Sequence, residues 1–142
     1  MRVKCIINTI RDIRKHGYGS FGIENYFHFD DNYELLNLDE EFEVFALMMT
    51  SNGIWIFVLE EDDDFPKQFP LFLFKTIDPS IPQDWTVGRG RVFESSQRKV
   101  FSLLTHRDWA CDESFYERLV EGDGDAKQKL KKSFYPFFNR VK

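Results

Sequence analysis

Residues 41–59 of the chain, EFEVFALMMTSNGIWIFVL, decide the fold. Between Phe42 and Met49 apolar residues occupy every second position and most of the others, and from Ile54 to Leu59 they are continuous. Both patterns are typical of β-strands that are buried on one or both faces. The Asn52-Gly53 pair between them favours a tight type I′ hairpin turn, in which both central residues have positive φ. The stretch therefore predicts two antiparallel strands.

The same stretch has a helical alternative. Asp39-Glu40-Glu41 would place acidic residues in a first turn, where they interact favourably with the helix dipole, and Gly53 would end the helix. The apolar residues from Phe42 to Met49 would then surround the helix instead of forming one stripe. A chain of 142 residues rarely buries such a helix, so we prefer the strands.

Length and composition predict one globular domain, residues 1–142, with a phenylalanine-rich core. Sixteen of the 142 residues are Phe, and aromatic rings bury a large area per residue. The chain has 24 acidic and 19 basic residues, a net charge of −5. This balance disfavours a general nucleic-acid binder, because attraction to phosphates dominates that affinity. An acidic protein is better suited to a basic protein partner.

The apolar runs are also informative about location. They fall well short of the roughly 20 residues that cross a bilayer, and residues 1–15 alternate charge with isoleucine where a signal peptide would be continuously apolar. We therefore expect a cytoplasmic protein with no membrane contact. In that compartment Cys5 and Cys111 are expected to be reduced thiols.

The N-terminal part is predicted to contain one amphipathic helix followed by short strands. Apolar residues recur at helical spacing from Val3 to Ile13, and Gly17 is suited to end the helix. Gly17 to Gly22 would form a flexible connection between this helix and the strands that follow. The two strands expected after it are Tyr26–Phe29 and Tyr33–Leu38.

After the hairpin, Glu60 to Asp64 reads as a charged loop and Phe69 to Lys75 as a strand. The Asp78-Pro79 and Ile81-Pro82 pairs predict an extended, turning path up to Trp85. Edge strands are expected at 92–93 and 100–104. The final residues predict two helices, one from near Asp112 to Gly122, and one that begins at Asp123 or Asp125 and stops or kinks before Pro136.

These elements predict an α+β fold: an N-terminal helix, a mostly antiparallel sheet or small partly open barrel with the Asn-Gly hairpin, and two C-terminal helices. The pattern Glu41-Phe42-x-Val44-x-Ala46, the hairpin, Phe69-Pro70 with Phe74, and residues 77–85, IDPSIPQDW, resemble small uncharacterised bacterial proteins. Some of those resemble immunity proteins of toxin systems. The resemblance covers about a third of the chain and implies a bacterial origin and a binding role.

The residues around Cys111 suggest one candidate catalytic site. His106, Asp108 and Cys111 precede a predicted helix, whose N-terminus would lower the thiol pKa while His106 served as base. The simpler interpretation, which we prefer, makes Cys111 a small buried residue beside Trp109 and residues 106–108 a solvated turn. We expect no metal site, because the three histidines lie far apart in the sequence, and no cofactor.

Two charged segments are candidate binding sites. The acidic loop, residues 60–64, consists of Glu60, Glu61, Asp62, Asp63 and Asp64 and would steer a basic partner by charge. The C-terminal helix and the residues after it instead form a basic and aromatic tail that would suit nucleic acid: Lys127, Lys129, Lys131, Lys132, Tyr135, Phe137, Phe138 and Arg140. The charged face of an amphipathic helix explains these residues more simply.

The leading hypothesis is a non-enzymatic, cytoplasmic protein-binding domain of the immunity or inhibitor type, with another protein, for example a basic toxin, as its partner. The alternatives are a small enzyme that uses Cys111 and His106 and a nucleic-acid-binding module that uses the C-terminal helix. The sequence gives no indication of the oligomeric state.

Overall fold

The computed structural model describes residues 1–15 and 34–138, which form an α+β fold with two antiparallel sheets and four α-helices. The α+β prediction is confirmed, and the sheets do not close into a barrel. The strands are β1 (Arg2–Cys5), β2 (Glu41–Glu43), β3 (Ala46–Thr50), β4 (Gly53–Val58), β5 (Lys67–Pro70), β6 (Phe74–Asp78), β7 (Trp85–Gly88) and β8 (Val100–His106). The helices are α1 (Ile10–Lys15), α2 (Arg107–Ala110), α3 (Phe115–Glu121) and α4 (Gly124–Phe138).

The larger sheet has the strand order β5-β4-β3-β8-β7, and β3 and β4 form its hairpin. The helical alternative for residues 39–53 is therefore wrong. The turn also differs from the expected type I′ turn, because Thr50 pairs with Gly53 and residues 51 and 52 connect them. Gly53 has a φ of 97°, whereas Asn52 is not among the positive-φ residues. The Thr50 hydroxyl accepts a hydrogen bond from the Asn52 amide at 3.0 Å, which stabilises this alternative turn.

The smaller sheet has the order β2-β1-β6. The apolar run from Phe42 to Met49 is therefore divided between two sheets. At the crossing, the Val44 amide donates to the Met1 carbonyl at 3.0 Å and the Phe45 amide donates to the Phe57 carbonyl at 2.8 Å. These bonds stabilise the step from one sheet to the other.

The helix predicted from Val3 to Ile13 is wrong from Val3 to Thr9, because residues 2–5 form β1 and residues 6–9 are not helical. Val3 and Cys5 are buried and alternate with Arg2 and Lys4, and β1 pairs on both sides. Only Ile10–Lys15 is helical. Residues 34–38 form no strand, only a bridge between Glu34 and Thr9. The expected Gly17 cap, the Gly17–Gly22 connection and the Tyr26–Phe29 strand lie outside the described residues.

Three strand boundaries are also corrected. The expected strand from Phe69 to Lys75 is interrupted by a 3-10 helix, Leu71–Leu73, which carries the chain from β5 in one sheet to β6 in the other. Residues 92–93 belong to a second 3-10 helix, Arg91–Phe93, instead of an edge strand. Residues 100–104 lie in β8, which is interior because β3 and β7 pair with it on either side. The sequence did not predict β7.

Aromatic rings pack between the larger sheet and the helices. The Phe57 ring lies 5.1 Å from those of Phe93 and Trp109 and 5.4 Å from that of Tyr116, measured between centroids. The stacked Trp109 and Tyr116 rings connect α2 to α3. The expected aromatic core is thus present in the described residues, and it holds α2 and α3 against β4.

The two predicted C-terminal helices are present as α3 and α4, although α3 begins at Phe115 instead of near Asp112 and the short helix α2 was not predicted. Gly122 ends α3 with a φ of 84°, a left-handed conformation that glycine adopts without strain. Among the described side chains of α4, Ala126 and Leu130 are buried. The helix continues through Pro136 to Phe138 instead of stopping before the proline. Pro136 lies in the last turn, where the missing amide affects only the end of the helix.

Candidate functional site

A cavity of about 480 Å³ lies where the end of β4 and the acidic loop face α4. We call it the α4 groove. Its floor is apolar and its two walls carry opposite charges, with Asp63 and Asp64 on one and Lys127 and Lys131 on the other. The described residues that line it are Phe45, Leu59, Asp63, Asp64, Lys127, Leu130 and Lys131.

The acidic loop that forms one wall is held by specific contacts. The Asp63 carboxylate pairs with the Lys67 ammonium at 2.9 Å, and the Asp63 amide donates to the Glu60 carbonyl at 3.1 Å. The Tyr116 hydroxyl of α3 donates to the Pro66 carbonyl at 2.8 Å just after the loop. These bonds connect the loop to β5 and α3 and hold its backbone beside the groove.

The five acids of the loop have different environments. Burial and the neighbouring Asp63 carboxylate raise the pKa of Glu60. Burial, with a smaller contribution from Asp63, raises the pKa of Tyr116 to about 12. Glu61, Asp62 and Asp64 are exposed. The loop therefore has an inner carboxyl pair and three outer carboxylates that are available to a partner.

The opposite wall is positioned by an ion-pair network at the start of α4. The Arg118 guanidinium contacts the carboxylates of Asp112, Asp123 at 3.1 Å and Asp125 at 3.6 Å. Hydrogen bonds from Ser114, and then from Arg118, lower the pKa of Asp112. Since Asp123 and Asp125 begin α4, this network sets the direction in which the helix leaves α3.

The basic residues expected on the C-terminal helix have separate positions. Lys127 and Lys131 lie one turn apart along the groove, whereas Lys129 pairs with Asp125 at 3.2 Å. Lys132 is exposed. The side chains of residues 134–138, which include Tyr135, Phe137 and Phe138, lie outside the description, as does Arg140. The aromatic half of the predicted nucleic-acid site is therefore untested.

The candidate catalytic residues occupy unlike environments. His106 is only 1% exposed, and its ring lies 5.2 Å from that of Phe115 and 6.2 Å from that of Trp109. Burial lowers the pKa of His106 to about 4, against the opposing effect of the Asp108 and Asp84 carboxylates. Asp108 is exposed. Residues 106–108 are thus not the fully solvated turn that the sequence suggested.

Cys111 is an exposed thiol, not the buried residue that we preferred. It follows the C-terminal end of α2, and α3 begins only at Phe115. It lies in a shallow cavity of about 280 Å³, and His106 is not among the described residues that line this cavity: Val87, Gly88, Arg89, Ala110, Cys111 and Glu113. The hypothesis of an enzyme using Cys111, His106 and Asp108 stays a prediction.

Cys5, the other free thiol, is buried in β1, and burial raises its pKa to about 11. Within residues 1–15 and 34–138, no three side chains of the His, Cys, Asp or Glu type are grouped as metal ligands.

Comparison with other proteins adds no identification: no protein-family model, curated protein or solved structure matches the chain. None of the helices in the described ranges is both long and apolar enough to span a bilayer. The α4 groove is therefore interpreted from its own chemistry. Sequence reasoning identified its acidic wall and its lysines, but it did not bring Phe45, Leu59 and Leu130 together beneath them.

Proposed function

We propose that this protein is a non-enzymatic, cytoplasmic binding domain of the immunity or inhibitor type, and that its partner is a basic protein such as a toxin. The observation that carries the proposal is the position of the acidic loop beside an apolar groove. The weak resemblance to small bacterial proteins, which include immunity-like ones, agrees with this role.

Charge supports the choice of a basic partner. Glu61, Asp62 and Asp64 are exposed, whereas Asp63 is already paired with Lys67. Three outward carboxylates at one position attract a positively charged surface and raise the association rate, an effect that salt weakens. In this proposal the three outer carboxylates attract the partner before contact, and the inner pair, Glu60 and Asp63, stabilises the loop.

The floor of the groove supports a second step, the insertion of an apolar side chain. Phe45 is 2% exposed and Leu130 is 6% exposed, so the floor is part of the core and is already ordered. A volume of about 480 Å³ accommodates one or two large side chains. Lys127 and Lys131 on the far wall would contact carbonyl or carboxylate oxygens of the same segment. The expected contact is an apolar anchor flanked by basic residues.

The test is to isolate the partner by affinity purification and to measure its association by stopped-flow mixing at several salt concentrations. Replacing Glu61, Asp62 and Asp64 by serine should reduce the association rate at low salt by about tenfold and should flatten its salt dependence. The matched control replaces three exposed acids of the α3 region by serine, namely Glu113, Glu117 and Glu121. This control loses the same net charge but keeps the loop.

Equal rates for the wild type and the loop variant at low salt would contradict the proposal, as would equal losses in the loop variant and the control. The groove is tested separately by Leu59→Ala, which removes apolar surface from its floor. This substitution should raise the dissociation rate and leave association nearly unchanged. An unchanged dissociation rate would exclude the groove from the interface.

A further inference from the structure

A second surface, made of arginine and exposed apolar side chains, follows β7 at one edge of the larger sheet. Arg89 and Arg91 are both exposed. Around them lie Val87, which is 66% exposed, Val92, which is 44% exposed, and Phe101, which is 70% exposed. We call these five residues the arginine patch.

The backbone that carries the two arginines is held on both sides. A Cβ atom at Gly88 would lie 2.1 Å from the Ala110 carbonyl oxygen, and one at Gly90 would lie 2.6 Å from a methyl carbon of Val100. Only glycine permits these close approaches, which fix the residues on either side of Arg89. Phe93 is buried against Phe57 and anchors the 3-10 helix that begins at Arg91. A surface that is already ordered loses little conformational entropy on binding.

The patch adjoins open space and a sheet edge. Arg89 lines both the 280 Å³ cavity beside Cys111 and a cavity of about 360 Å³ that Arg91 and Phe101 also line. The exposed glutamates Glu113 and Glu94 line the first and the second cavity, respectively. In the described residues β7 pairs only with β8, so its other edge has no neighbouring strand. An extended segment alongside β7 would therefore lie within reach of both arginines.

The chemistry of the patch indicates the class of ligand. Neither Arg89 nor Arg91 makes an ion pair with another residue of the described ranges. Guanidinium groups bind carboxylates through paired, charge-assisted hydrogen bonds. Arginine and aromatic residues together are also typical of the centres of protein interfaces.

We propose that the arginine patch binds an acidic, extended segment of a partner protein, and that the segment places an apolar side chain against Phe101. A polypeptide is favoured over nucleic acid because three exposed apolar side chains accompany the arginines, and because the protein has a net charge of −5. This proposal is independent of the α4 groove. The acidic loop leaves β4 beyond Val58, whereas the patch leaves β7 beyond Gly88, at the opposite corner of the same sheet.

The experiment selects ligands from a random library of twelve-residue peptides displayed on phage. Four proteins serve as baits: the wild type, Arg89→Ala with Arg91→Ala, the variant in which Glu61, Asp62 and Asp64 are serine, and a control. The control, Lys75→Ala with Lys132→Ala, removes two exposed positive charges elsewhere. Circular dichroism verifies that each bait is folded.

The wild type, the loop variant and the lysine control should all enrich acidic peptides that contain an aromatic or aliphatic residue. The double arginine variant should not. One enriched peptide, made synthetically, should lose at least tenfold in affinity with the double arginine variant and less than twofold with the lysine control. Phe101→Ser should weaken it severalfold without changing the salt dependence of binding.

Four results would overturn the proposal. The first is that acidic peptides are not enriched, and the second is that the double arginine variant retains them. The third is that a twelve-nucleotide oligo-dT binds more tightly than the peptide through the same arginines, which would make the patch a nucleic-acid site. The fourth is self-association of the wild type that is lost in the arginine variant, which would make a second copy of this chain the occupant.

Discussion

Acidification should destabilise this protein through His106 in a way that a single substitution can isolate. Burial against Phe115 and Trp109 lowers the pKa of His106 from 6.5 to about 4 in the folded state. Between about pH 6.5 and pH 4 the unfolded chain therefore binds a proton that the folded protein does not. Stability from this group is fully present above that pH and is lost as the pH falls toward 4.

The magnitude follows from the size of the shift. The pKa difference between 6.5 and about 4 corresponds to about 3–4 kcal/mol, at about 1.4 kcal/mol for each pH unit. This is a large part of the roughly 5–15 kcal/mol that stabilises a typical domain. The protein should therefore be markedly easier to unfold near pH 4 than at pH 7, for a reason separate from its surface carboxylates.

The assay is urea denaturation followed by tryptophan fluorescence at several pH values between 7 and 4. The wild type is compared with His106→Phe, which keeps a ring beside Phe115 and removes the titrating group. Carboxylates such as Asp112, whose lowered pKa also makes acid unfavourable, contribute equally to both proteins. The difference between the two pH profiles therefore reports His106 alone.

We expect the wild type to lose about 3 kcal/mol more than His106→Phe between pH 7 and 4. If the phenylalanine variant is too unstable to measure, His106→Gln supplies the same comparison with a polar, uncharged side chain. Parallel profiles for the wild type and both variants would refute the reasoning. An imidazole NMR titration of the folded protein centred near 6.5 would also refute it.

Further predictions concern the turn, a close contact and the thiols. Gly53→Val should destabilise the protein by about 1–3 kcal/mol in urea denaturation, because a β-branched residue is strained at the observed φ of 97°; an unchanged midpoint would contradict this. Gly88→Ala should cost about 1–3 kcal/mol or more, since its Cβ would lie 2.1 Å from the Ala110 carbonyl oxygen. Iodoacetamide should label exposed Cys111 in the folded protein and buried Cys5 only after unfolding. Rapid labelling of Cys111 at pH 6 would instead support the enzyme alternative.

The sequence was most informative where one local signal was sufficient. The hairpin was predicted because β4 is an unbroken apolar run and because a turn-forming pair precedes it. The end of α3 was predicted because Gly122 follows the last apolar residue of a helical pattern. In each case residues close in the sequence determine the structure, and distant contacts only reinforce it.

Prediction failed where the choice depended on distant partners. The spacing of Val3, Ile10 and Ile13 suits a helix, but Val3 and Cys5 also have the alternation of a strand. Pairing of β1 with both β2 and β6 decides between these patterns, and those strands lie far along the chain. The division of residues 42–49 between two sheets has the same cause, since it depends on hydrogen bonds from Val44 and Phe45 to distant carbonyls.

The candidate site, like the fold, was predicted from the sequence only in part. The acidic loop is visible as five consecutive acids, yet the sequence gives no indication that Asp63 is paired and that only part of the loop faces outward. The groove was not predictable, because Phe45, Leu59 and Leu130 come from three separate parts of the chain. The arginine patch was missed because β7 was not recognised, so Arg89 and Arg91 had no assigned position.

The net charge of −5 is a sum over the whole chain and does not give the local charge of the acidic loop or of the arginine patch. From β4 to β7 there are three inter-strand steps, about 14 Å at the usual spacing of neighbouring strands. Charges of exposed groups are screened over about 8 Å at physiological ionic strength. A negative loop at one corner and a positive patch at the other should therefore attract ligands of opposite charge independently. It follows that removing the acids of the loop should leave the affinity of the arginine patch for acidic peptides unchanged at physiological salt, and should strengthen it only at low salt, where screening is weak.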